Sequence, residues 1–143
     1  MTSDELCWLS ATDLAALIRR RKVSPVEVVE GVLDRIERLN PQVNAYVTVT
    51  ADQARRAARA AERALGRRRP AVGPLHGVPF SVKDLVITKG VRTTFGTPLF
   101  ADHVPTEDAP MVARLLAAGR SWSARPRRRS SVTSPSPTAR CSA

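Results

Sequence analysis

The sequence predicts an α/β chain. Helix starts with complete capping signals alternate with short β-branched runs, "AYVTVT" at 45–50 and "VPFSVKD" at 78–84. Helical periodicity flanks each run, so helices and strands share one core. After Gly119 this pattern stops: 120–143 holds seven Ser, six Arg and three Pro with no acidic residue, a composition that predicts a disordered tail.

A chain of 143 residues, 43% of them hydrophobic, supports one modest core rather than two domains. Net charge is +10, but residues 1–119 carry only +4 of it. The basic excess is therefore mostly a property of the tail, which weakens a nucleic-acid or anionic-membrane reading. Cys7 and Cys141 have neither metal-ligand nor paired-motif spacing, which points to a reducing, cytoplasmic setting. The start, "MTSDELCWLS", is acidic and lacks a signal-peptide pattern, and no apolar run approaches membrane-spanning length.

In chain order, Ser10 with Asp13 opens a short helix whose apolar face is Leu14, Leu17 and Ile18, with Leu9 as a hydrophobic staple. "RRRK" (19–22) sits in its last turn, where cations complement the helix dipole. "SPVE" (24–27) is a capping box with proline at the first helical position, and Val29, Val32, Leu33 and Ile36 follow as one face. Asn40-Pro41 is expected to stop that helix. "AYVTVT" is a strand, and Thr50 with Gln53 begins the Ala-rich helix 51–65, which Gly66 ends. Residues 66–77 form a loop, and a buried strand follows. "LVITKGVRTTFGTPLF" (85–100) is irregular. Asp108 is expected to cap a last helix with Met111, Val112, Leu115 and Leu116 facing inward and Gly119 ending it.

The chemistry centres on Lys83, an ammonium at the end of an apolar strand. It either pairs with an acid such as Asp84 or snorkels to water, or it serves as a base, because partial burial destabilises an ammonium and makes the neutral amine accessible. His76 reads as a loop residue that orders the turn before the strand, and His103 as exposed. No acid-His-Ser arrangement is legible. The arginines at 55, 56, 59, 63 and 67–69 read as a solvated face. An alternative, a basic RNA- or DNA-binding protein built on them and the tail, lacks interleaved aromatics and any nucleic-acid motif.

"GPLHGVPFSVKDL", "TKGVRTTFGTPLF" and "PTEDAPMVARLLAAG", preceded by "SPVEVVEGVLDRIERLNPQVNAYVTV", resemble in order and spacing the amidase signature family over residues 8–119. The resemblance implies the N-terminal part, residues 1–119, of a fold with helices around a central mixed sheet, incomplete in this chain. It implies hydrolysis of amide C–N bonds by a Ser, cis-Ser, Lys triad acting on a small-molecule amide. No cofactor, metal, specific nucleic acid or membrane is called for, and the oligomeric state is open. Lys83 corresponds to the family's catalytic lysine, with Asp84, Gly77, Thr93, Thr94 and Gly96 shaping the site. Both serines belong to a "GGSSGG"-like segment that is not in this sequence. Ser130 and Ser131 lack the flanking glycines and are not carried over. The chain is thus expected to be inactive alone and to expose apolar faces such as Val29, Val32, Leu33 and Ile36. A fragment of the A subunit of the related tRNA-dependent amidotransferase is the other reading within the family.

The tail has a codon-level explanation. Trp122 is encoded only by TGG, and the Ala, Pro, Thr, Val and Cys codons of the tail have fixed first and second bases. A frame starting one base earlier, in the Gly119 codon, can spell "QVVVGKTTTPEFGHKSLTDSPLFG". Similar family members continue with an apolar strand, "GKT" and "PEF", so a single-base frameshift accounts for the Arg, Ser and Pro that follow.

Overall fold

The computed structural model describes residues 2–67, 72–119 and 121–126. A first turn, α1 (Ser3–Leu6), has its own capping box between Thr2 and Glu5 and is not foreseen in sequence. In α2 (Ala11–Arg19) the Ser10 hydroxyl accepts from the Asp13 N–H at 3.1 Å. In α3 (Pro25–Val43) the Ser24 N–H donates to Glu27 Oε2 at 2.7 Å. These caps satisfy N–H groups that have no partner inside the helix.

Pro41 does not stop α3, which runs one turn further to Asn44 in the left-handed region (φ 49°). The Asn40 side chain explains the continuation. It accepts from the Tyr46 N–H at 2.8 Å and donates to the Tyr46 carbonyl at 3.2 Å, clamping the end of α3 to β1 (Tyr46–Val49). The Asn44 N–H closes the turn on the Asn40 carbonyl at 2.7 Å.

Helix α4 (Ala51–Leu65) buries Ala54, Ala58, Ala61 and Leu65 along one face. Ala54 and Ala58 meet Val29 and Leu33, where short side chains let two helices approach closely. A second core joins Leu6, Leu14, Ile18, Val28, Leu65 and Val78. The α3 face expected to be exposed is therefore covered within this chain: Val29, Leu33 and Ile36 are buried and Val32 is half-buried.

Strand β2 (Pro79–Ser81) leads through the 82–109 segment into α5 (Pro110–Ala117) and then β3 (Ser121–Pro126). The sheet order is β1-β3-β2, with β3 antiparallel to β1 and parallel to β2. A parallel pair requires a crossover, and α5 supplies it. Its Val112 and Leu115 pack with Phe80, Val82 and Val91 beneath the segment that carries Lys83.

Two expectations for α5 change. Asp108 does not cap it: its Oδ1 accepts from the Lys89 N–H at 2.8 Å, and Ala109 precedes Pro110 at the helix start. Met111 and Leu116 point outward, because the crossover meets the sheet along the Val112 and Leu115 line alone. Residues 121–126, unpatterned in sequence and expected to be disordered with the rest of the tail, form the middle strand. Backbone pairing on both sides holds them there and needs no side-chain periodicity. Residues 127–143, including Ser130, Ser131 and Cys141, lie outside the described residues, as do Arg68 and Arg69.

Candidate active site

Strand β2 ends at Ser81, and its alternation persists beyond it: Phe80, Val82 and Asp84 are buried, Ser81 and Lys83 exposed. Lys83 therefore shares the solvent face with Ser81, which fits the reading in which it reaches water and not the partial burial that the base reading invokes. Among the described residues, packing is seen on one face of this strand, so the period of two sends every second side chain to water. The Lys83 carbonyl accepts from the Val86 N–H at 3.0 Å and starts the turn that leaves the sheet.

Asp84 is the buried member of the pair, at 1% exposure. Its Oδ1 accepts from the Thr94 N–H at 3.0 Å, its Oδ2 from the Thr94 hydroxyl, and its carbonyl from the Phe95 N–H at 3.2 Å. A carboxylate held this way has both oxygens engaged by Thr94 donors and ties 94–96 to the end of the Lys83 strand. Phe95 (φ 52°) and Gly96 (φ 72°) then turn the chain through the left-handed region. Thr93 is fully buried, donating through its hydroxyl to the Val91 carbonyl at 3.1 Å and through its N–H to the His103 carbonyl at 2.9 Å. A pocket of about 370 Å³ opens beside this loop, lined by Val47, Asp84, Arg92, Thr94, Gly96 and Thr97 among others, and Lys83 is not among its lining residues.

The structure thus brings Asp84, Thr93, Thr94 and Gly96 together around the turn after Lys83. Gly77 stands apart at the entrance to β2, where its N–H donates to the Gly119 carbonyl at 3.0 Å. His76 orders that entrance as expected, with Nε2 2.9 Å from the Ala61 carbonyl. His103 is not exposed. It is half-buried against Phe95 and Phe100, with ring centroids 5.9 and 5.6 Å away. That aromatic group was not legible in advance, because its members meet only once the Phe95-Gly96 turn has folded the loop back. Among the described residues no cluster of His, Cys, Asp and Glu is suited to a metal. None of their helices is long and apolar enough to cross a membrane.

A family model described as Amidase matches residues 27–124, from the first turn of α3 into β3. The chain belongs to the amidase signature family. It is 43% identical over 122 residues to an acylamidase of Rhodococcus erythropolis, covering 83% of this chain and 25% of that protein. It is 44% identical over 115 residues to the A subunit of the glutamyl-tRNA(Gln) amidotransferase of Moorella thermoacetica, covering 80% and 23%. Among solved structures, a fatty acid amide hydrolase superposes with TM-score 0.81 at 25% identity over 88% of this chain and 22% of that one. A bacterial aryl acylamidase of the amidase signature family gives 0.76 at 30% identity over 83% and 25%. The chain spans about a quarter of the length of these relatives. What it shares with them is part of the amidase fold, and its described strands form a mixed three-stranded sheet.

Proposed function

We propose that this chain is the lysine-bearing portion of an amidase whose frame breaks after Gly119, and that Lys83 is the general base of the complete enzyme. In that enzyme the neutral Lys83 amine takes the proton of a bridging cis serine, which takes the proton of the nucleophilic serine as its oxygen attacks the amide carbonyl. Backbone N–H groups of a Gly/Ser-rich loop stabilise the oxyanion. The leaving amine receives the proton, and water then hydrolyses the acyl-enzyme. The substrate is a small-molecule amide, and the setting is the reducing cytoplasm.

The match from residue 27 to 124 carries this reading. The placement of β3 supports the frameshift: the shifted frame spells QVVVGKT across positions 120–126, and Ser121–Pro126 is the middle strand. A strand paired on both sides favours a β-branched apolar run such as Val-Val-Val over "SWSARP". The similarity to the A subunit of a tRNA-dependent amidotransferase favours a second reading within the same family, with Lys83 in the same role.

The deciding experiment is the nucleotide sequence from the Leu115 codon onward. A one-base shift that opens "GKTTTPEFG" and, later, a Gly/Ser-rich segment supports the proposal. The repaired product should then hydrolyse amides or, under the second reading, glutamine, and Lys83→Ala should lower kcat by about 10²- to 10⁴-fold. An intact frame with nothing of that kind downstream rejects it.

A further inference from the structure

The fold brings together two basic runs that lie more than forty residues apart in sequence. The end of α2 carries Arg19, Arg20, Arg21 and Lys22, all exposed, and the end of α4 carries Arg63 and Arg67, also exposed. The Arg21 guanidinium, on a residue in the left-handed region (φ 55°), donates to the Leu65 carbonyl and locks the two ends side by side. Arg19 donates to the Pro74 carbonyl at 3.2 Å. Among the described residues none of these six cations is in an ion pair, whereas Arg55, on the flank of α4, is bound to Glu30. The two carboxylates of the intervening pocket are already engaged: Glu27 accepts from the Ser24 N–H and Glu62 from the Ser24 hydroxyl.

We infer that this corner is a docking surface for the phosphate backbone of a nucleic acid, bound without regard to base sequence. Arg56 and Arg59 continue the outward face of α4 at helical spacing. From Arg56 to Arg63 the line runs about 10 Å along α4, with Arg67 just past its end, a length over which each strand of a duplex presents several phosphates. Among the described residues no exposed large apolar side chain lies on the corner, so they offer nothing to insert into a lipid surface. No aromatic stands among the cations, so the contact positions a backbone and reads no bases. This surface is independent of Lys83 and of the amidase reading.

The test is fluorescence anisotropy of the full chain with a labelled duplex of about 20 base pairs, across a salt series. The corner variant combines Arg20→Gln, Lys22→Gln, Arg63→Gln and Arg67→Gln. A tail variant replaces the six arginines after Gly119 by Gln. Circular dichroism checks that both keep the helix content of the parent. The corner variant should bind at least tenfold more weakly at low salt, and its slope of log affinity against log salt should fall by about 3 to 4. The tail variant should keep that slope component. The proposal is overturned if the corner variant binds unchanged. It is equally overturned if corner and tail substitutions cost the same per arginine, as in an unfolded polycation, or if polyglutamate or anionic vesicles bind as tightly as the duplex.

Discussion

Asp84 ties the Thr94 backbone and hydroxyl to the end of the Lys83 segment. Asp84→Ala leaves the Thr94 N–H and hydroxyl without their acceptor, so a loss of about 1–3 kcal/mol is expected in urea unfolding, with faster proteolysis in the 92–104 loop. Gly73 is required by close approach: a Cβ there would lie 2.3 Å from the Ala118 carbonyl oxygen. Gly73→Ala should therefore cost about 1–3 kcal/mol and loosen the end of α5. The bidentate Arg55 pairing, with 2.9 Å contacts, holds the Glu30 carboxyl below its usual value, first through the hydrogen bond and then through charge, offset partly by burial. Its contribution is present above the ordinary carboxylate range and fades as pH falls through the lowered folded value. Both side chains are more than a third exposed, so Glu30→Gln should cost at most about 1 kcal/mol at neutral pH, a cost that disappears at acid pH below the lowered Glu30 value. The parent and variant stability curves should converge there.

At the level of elements, the starts of α2 and α3 were legible because Ser10, Ser24 and Glu27 act on N–H groups within three residues of themselves. What was not legible depended on distant partners. The passage of α3 through Pro41 rests on Asn40 meeting Tyr46, and the rotation of α5 on which line meets the sheet. The exposure of Lys83 rests on which face of β2 this chain covers. The site was half readable for the same reason: "VKD" and "TTFG" mark it, but only the fold shows that Asp84 joins them. Ile18, fully buried between α2, α3 and the entrance to β2, tests the helical core. Ile18→Ala should cost about 2–5 kcal/mol, read as an earlier denaturant midpoint.

For the whole molecule, large apolar side chains are exposed around the site segment and α5 at Leu85, Leu99, Phe100, Val104, Met111 and Leu116, on β1 at Val49, and among the helices at Trp8 and Val43. Replacing residues 120–126 by QVVVGKT should raise the thermal midpoint by several degrees if β-branched residues suit the middle strand, since about 1 kcal/mol shifts a domain of this size by several degrees. An unchanged or lower midpoint would count against the frameshift.

The strand order has one more consequence. With β3 in the middle, β1 and β2 are the outer strands among the described residues, each turning one row of backbone N–H and C=O groups away from the sheet. Such a row is a template for a strand from another molecule, and Val49 adds an apolar side chain, 41% exposed, on β1. Strand-to-strand aggregation should therefore limit this chain before helix melting does, with light scattering that grows with concentration at temperatures where helicity is intact. Val49→Lys, which sets a charge on that rim, should delay it.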